Sequence, residues 1–238
     1  MARGPAVAIV CKTPGLGAGK SRLRPLLGAE MVERLSACFI LDVAAALEAL
    51  PDASGRQLYA LFSPAGSEAL LRALLPMPWT LVPRQGASVG AVLEAGMAAF
   101  LADGHGCAIL VNGDSPTLPT EFVEQAIAAL SSPGDRVVLG PALDGGYYLI
   151  GLKRPHPRLF QDIPWSTAEV LTRTLERAEE IALPVVRLPM WYDVDEPQDV
   201  LRLRAELAGK PSSRMAGGPA RHTRALLAEW ADTPAVAP

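Results

Sequence analysis

Two rhythms of apolar residues alternate along the chain. Short, nearly unbroken runs recur at Ala6–Cys11, Gln57–Phe62, Thr80–Val82, Cys107–Val111, Arg136–Gly140, Tyr147–Gly151 and Val185–Leu188. Runs of this length bounded by turn residues read as buried strands. Between them lie Ala29–Leu50, Ser67–Leu75, Val89–Asp103, Glu121–Leu130, Thr167–Ile181 and Gln198–Leu207, and in the first of these Met31, Leu35, Cys38 and Phe39 fall at helical spacing. That periodicity predicts amphipathic helices. Thr120 is expected to cap one helix and Ser166 or Thr167 the next, while Pro197 suits a first helical turn. Asp42 falls on or beside the apolar face of the long helix, where a carboxylate needs a partner.

Strands alternating with helices of ten or more residues predict an α/β fold: a mainly parallel sheet covered on both faces, with ligands at the carboxyl ends of its strands. The pattern fits one domain over residues 1–208. Residues 209–238 read as a Pro-, Ser- and Gly-rich linker and a tail in which Arg221–Trp230 makes a short helix or frays.

Composition narrows the function classes. The 238 residues are 50% hydrophobic and 20% charged, with a formal net charge of -3, so a sizeable core is affordable and no basic excess exists to track nucleic acid. No run is long and apolar enough for an export signal or a spanning helix. The 3 cysteines (Cys11, Cys38 and Cys107) are too scattered for a disulfide framework, which fits a reducing cytoplasm. His105, His156 and His222 stand away from the acidic motifs and from one another and are expected at the surface, and no serine has a local base for a hydrolase triad.

The chemistry lies in the segments that leave the strands. After the first strand comes Lys12-Thr13-Pro14-Gly15-Leu16-Gly17-Ala18-Gly19-Lys20-Ser21-Arg22. Its glycines let backbone N–H groups approach a ligand, and Lys12, Lys20 and Arg22 add cations, so phosphate or pyrophosphate is the natural guest. The phosphate-loop pattern G-x-x-x-x-G-K-[ST] misses at Pro14, and Pro25 would break the helix it launches; G-x-G-x-x-G misses at Lys20. After the fourth strand, Asn112-Gly113-Asp114-Ser115-Pro116 sets Asp114 opposite the basic loop, as Mg²⁺ (or Mn²⁺) requires when it bridges carboxylate and phosphate. Asp193 and Asp195 in Trp191-Tyr192-Asp193-Val194-Asp195-Glu196-Pro197 are the other candidate metal ligands, or begin the next helix. Asp144-Gly145-Gly146-Tyr147 is either a hairpin turn or a pocket floor for sugar or acceptor, with Asp144 accepting a hydrogen bond from a hydroxyl, and Trp165 is a candidate lining residue.

Together the blocks CKTPGLGAGKSRL, NGDSPTLP, GPALDGGYYLIGL, IPWST and LPMWYDVDEPQD resemble, over roughly residues 6–205, the motif set of a bacterial family of uncharacterised GT-A-type transferases. Its members are usually labelled glycosyltransferases. It lies within the nucleotide-diphospho-sugar transferases, which include the guanylyltransferases for 2-phospho-L-lactate and for molybdenum cofactor. The resemblance implies a single Rossmann-like GT-A domain of three α/β/α layers with a mostly parallel mixed sheet. It implies nucleotide and phosphate binding by Lys12, Gly15, Gly17, Gly19, Lys20, Arg22 and Gln85, and metal at Asp114 with Asp193 or Asp195. Acceptor contacts fall at Asp144, Gly145, Gly146, Tyr147 and Trp165, with Lys20, Arg22 and Asp144 in catalysis. After Gln85-Gly86 the family tends to continue with an acidic residue, Leu-Gly and a basic residue, where this chain has Ala87-Ser88-Val89-Gly90-Ala91-Val92, keeping the glycine but neither charge. The expected partners are a nucleotide or nucleotide-sugar and a small-molecule acceptor, without nucleic acid or membrane; a homodimer is allowed. The expected reaction is glycosyl transfer. Its rivals are nucleotidyl transfer with release of pyrophosphate and a non-catalytic nucleotide-binding role.

Overall fold

The first apolar run becomes β1 (Ala6–Lys12), near the middle of a seven-stranded sheet. The computed structural model describes residues 3–17, 19–51, 55–210 and 216–232. Around β1 stand β2 (Gln57–Ser63), β3 (Thr80–Pro83), β4 (Ala108–Asn112), β5 (Val137–Pro141), β6 (Tyr147–Leu152) and β7 (Val185–Arg187), in the order β3-β2-β1-β4-β6-β5-β7. β1 runs parallel to β2 and β4, β2 to β3, and β5 to β7. β6 alone reverses, antiparallel to both β4 and β5. Chain length dictates this. A parallel return needs about a dozen or more residues, whereas the short turn between Pro141 and Tyr147 permits only a hairpin.

Helices cover both faces, because successive strand residues point to opposite sides. Val7 and Ile9 pack against α2 (Ala29–Glu48), α5 (Thr120–Ser131) and α7 (Pro197–Leu207) through Phe39, Phe122, Val200 and Leu203. Ala6 and Ala8 face the layer of α4 (Val89–Ala102) and α6 (Val170–Glu180), with Leu93, Met97, Phe100 and Ala178. The one-turn α1 (Arg24–Leu27) carries Pro25 in its first turn and stops at Gly28, whose φ is 76°. A short α3 (Glu68–Leu74) comes after β2. This is the mixed, mostly parallel α/β/α sandwich expected.

Three local expectations change. Thr120 is the first helical residue of α5, not its cap; Pro119 precedes it and the Thr120 hydroxyl reaches Ala46 O. α6 begins later than expected: its N-cap is Glu169, Ser166 sits at a left-handed φ of 66°, and the Thr167 hydroxyl accepts the Glu169 N–H within the preceding turn. His105 is buried, its ring nitrogens 2.9 Å from Tyr59 Oη and 2.6 Å from Gly4 O. Its local sequence shows no sign of this, since both partners come from distant parts of the chain. His156 lies 2.9 Å from the Asp135 carboxylate.

Residues 211–215 and 233–238 of the expected linker and tail lie outside the described residues. Between them α8 (Arg221–Asp232) docks on the domain, with Leu226 and Leu227 in the same core as Phe39. Asp42 finds its partner there. Its two carboxylate oxygens accept the N–H groups of His222 (2.9 Å) and Thr223 (2.8 Å), satisfying donors that an α-helix start leaves open. Asp42→Ala should therefore cost about 1–3 kcal/mol, seen as a lower urea midpoint; an unchanged midpoint would show that α8 is not anchored there.

Candidate functional site

A cavity of about 690 Å³ opens at the carboxyl ends of β1 and β4. Each of its charged walls comes from a segment flanking a strand or helix. The end of β1 brings Lys12 and the segment after it Gly19, Lys20 and Arg22; the turn after β4 brings Asp114. The β5–β6 turn brings Asp144, Gly146 and Tyr147, the approach to α6 brings Trp165, and the segment before α7 brings Asp193, Asp195 and Glu196.

Lys20 crosses this space. Its backbone is left-handed, φ 46°, a conformation few side-chain-bearing residues adopt without compensation. The compensation is its ammonium, which donates to Asp114 Oδ1 at 2.7 Å, Asp195 Oδ1 at 3.1 Å and Val194 O at 2.7 Å. Three donors meet three acceptors, over the Phe39 ring 5.0 Å away. Burial pulls the Lys20 pKa down, but the two carboxylates outweigh it and the net shift is upward. The Lys20 side chain is only 5% exposed, whereas those of Asp114 and Asp195 are 43% and 48% exposed. The lysine thus holds the two acids from behind.

Asp193 stands in the same group. Burial and the charges of Asp144, Asp195 and Asp114 push its carboxyl up to about 7. Among the described residues no three acidic, cysteine or histidine side chains converge as a ready-made metal cage. Mg²⁺ does not need one, since it is commonly held by one or two carboxylates, substrate phosphates and water. The donors fit such an ion: Asp114 and Asp195 already grip one cation, and six acidic side chains line the cavity against four cationic ones.

The remaining expected residues divide. Asp144 Oδ1 accepts the Gly146 N–H at 2.8 Å, so it closes its own turn while facing the cavity. Gly145 lies outside the lining; at φ 89° it passes so close to the Ala168 backbone that no side chain fits. Burial pushes the Tyr147 phenol above its usual range, keeping it a donor, and its ring meets Trp165 edge-on, centroids 6.4 Å apart. Trp165 in turn covers Gly90, where a methyl group would overlap the indole. Arg22 pairs with Glu196 at 3.2 Å. Gly15 and Gly17 do not line the cavity: the Gly15 N–H is taken by the Glu33 carboxylate at 2.6 Å, and Gly17 O accepts from Arg24. Gln85 is exposed and outside it as well, while its neighbour Arg84, which belongs to none of the sequence motifs, lines the wall. The signal was available in a basic residue directly after a strand, hidden because β3 is short and its apolar pattern weak.

Asp193 gives a pH test. Its folded pKa lies above the unfolded value of 3.8, so the folded state binds more protons between about pH 4 and 7 and stability falls as pH rises through that window. In metal-free protein, Asp193→Asn should flatten the fall and raise the melting midpoint at pH 8; a variant that melts like the parent at both ends of the window would rule out the repulsion.

The model of a bacterial family described as an uncharacterized protein conserved in bacteria (DUF2064) matches residues 46–167. A crystal structure from Desulfovibrio desulfuricans G20, provisionally named a nucleotide-diphospho-sugar transferase, superposes with a TM-score of 0.82 at 29% identity, covering 95% of each chain. Two more distant structures share the fold. One is CMP:2-keto-3-deoxy-manno-octonic acid synthetase complexed with CTP (TM-score 0.55, 14% identity, 87% of this chain and 99% of that one). The other is glucosyl-3-phosphoglycerate synthase from Mycobacterium tuberculosis with Mn²⁺, UDP and glucosyl-3-phosphoglycerate (TM-score 0.50, 15% identity, 84% and 75%). No curated protein matches the chain.

Proposed function

The chain belongs to the DUF2064 family, and from that premise we propose that it is a nucleotide-dependent transferase moving a glycosyl group from a nucleotide-sugar to a small-molecule acceptor. The observation that carries the reading is the meeting of Lys20, Asp114 and Asp195 on one wall of a cavity large enough for a nucleotide. The name given to the Desulfovibrio structure supports the donor class.

In glycosyl transfer negative charge gathers on the departing diphosphate as the sugar bond breaks, so fixed positive groups beside it lower the barrier. Mg²⁺ or Mn²⁺ held on the cavity side of Asp114 and Asp195, with Asp193 beside them, would supply most of that charge. The structure with Mn²⁺ and UDP among those of like fold suits this choice. Lys20 keeps the two carboxylates in place from the buried side. Lys12, at the end of β1, and Arg22, by exchanging its exposed pairing with Glu196, add positive charge for the phosphates. Asp144, close enough to Asp193 for their charges to interact, orients an acceptor hydroxyl and accepts its proton, with Tyr147 and Trp165 forming the apolar wall beneath the sugar. The free thiols of Cys11, Cys38 and Cys107 suit a reducing, cytoplasmic setting.

Nucleotidyl transfer is the second reading, favoured by the fold shared with CMP:2-keto-3-deoxy-manno-octonic acid synthetase complexed with CTP. The two part on one product. Incubated with nucleoside triphosphates, sugar phosphates and Mg²⁺, the protein should release no pyrophosphate at a turnover rate; with nucleotide-sugars and Mg²⁺ its melting midpoint should rise by several degrees, and Asp114→Asn should abolish the Mg²⁺-dependent part of that rise. Steady pyrophosphate release would replace the first reading by the second, and no shift with any nucleotide would remove both.

A further inference from the structure

We propose that Arg84 is an oxyanion-binding residue of the cavity, its guanidinium completed by phosphate or carboxylate oxygens of a bound substrate. The residue comes directly after β3, with its backbone N–H held by Phe62 O at 2.7 Å, so its side chain leaves a fixed point of the sheet. It lines the cavity, as Cys11, Thr13 and Asn112 do.

Its surroundings do not balance its charge. The Arg84 Nη2 donates to the Ser63 hydroxyl, a neutral partner. Nε is enclosed without an acceptor, and among the described residues no carboxylate forms an ion pair with the guanidinium. Two groups near enough to matter electrostatically are Cys11 and Asp114. Burial pushes the Cys11 thiol up to about 12, so it brings no negative charge at neutral pH. Asp114 is already engaged by Lys20 at 2.7 Å. Burial therefore dominates and lowers the Arg84 pKa from its ordinary value, yet an arginine remains charged. A partly buried, uncompensated cation is costly unless an anion joins it. Of the other three cavity cations, Lys12 ends β1, Lys20 is saturated and Arg22 is paired with Glu196. A planar fork of donors in this state suits an oxyanion with two oxygens to offer.

The donor's phosphates and an acidic group on the acceptor could each supply those oxygens. The inference rests on the nucleotide reading only for the name of the donor, so inorganic pyrophosphate is the first probe. By calorimetry without metal, Arg84→Met should weaken pyrophosphate binding at least tenfold while leaving the melting midpoint within a few degrees. A nucleoside lacking phosphate should bind both proteins alike. If Arg84→Met does not fold, Arg84→Gln, which keeps a shorter stem and an amide donor without the charge, should show the same loss. Equal loss for UDP and uridine would overturn the proposal by assigning Arg84 to the base, and unchanged pyrophosphate affinity would overturn it outright. Loss for pyrophosphate and UDP together assigns the donor's phosphates. Loss for pyrophosphate and for a phosphorylated acceptor such as 3-phosphoglycerate, with UDP unaffected, assigns the acceptor and sustains the oxyanion role. Nucleotide-free protein that binds pyrophosphate through Arg84 yet never responds to a nucleotide-sugar would leave this inference standing and remove the transferase reading.

Discussion

One ammonium joins three distant stretches of chain. Lys20 belongs to the loop after β1, Asp114 to the turn after β4, and Val194 and Asp195 to the approach to α7, and all meet within 2.7–3.1 Å. Removing the charge would leave two acids facing each other near a third, Asp193, whose raised pKa already records crowding. Seating it requires a left-handed lysine, a conformation the β1 loop adopts beside glycines. Here a strained backbone and a buried ion pair sustain each other: the carboxylates outweigh the burial penalty, and the lysine gives them a fixed orientation.

That arrangement sorts the cavity into regions of different chemistry. On one side the exposed oxygens of Asp114 and Asp195, backed by Lys20, form an acidic wall that attracts a cation more readily than a bare phosphate. Arg84 lies within electrostatic reach of Asp114 but makes no ion pair with a carboxylate among the described residues. Tyr147 and Trp165, also in the lining, make an aromatic corner packed against Gly90. The proposed donor, a diphosphate joined to a sugar and carrying a cation, would draw on all three kinds of lining.

Much of the fold was legible because burial writes a strong pattern. The unbroken run of β1 and the spacing of Leu35 and Phe39 on α2 need no tertiary context. The reversal of β6 is consistent with the few residues between Pro141 and Tyr147. What escaped depends on partners far away in sequence. Asp42 reads as a misplaced acid until α8 brings two backbone N–H groups to it. His105 reads as a surface residue until Tyr59 and Gly4 enclose it. At the site, residue types announced acids against bases, but not the pairing. Lys20 lies against carboxylates where the loop's composition pointed to phosphate, the Gly15 amide is filled by Glu33, and Arg84 carries no motif of its own.

The most direct measurement is a crystal structure of the protein with a nucleoside diphosphate and Mn²⁺, using the metal's anomalous signal. The expected result is one peak at ligand distance, about 2.1 Å, from a carboxylate oxygen of Asp114 or Asp195, touching a diphosphate inside the cavity, with Lys20 still behind the pair. A diphosphate bound elsewhere, or a metal site away from both acids, would contradict it.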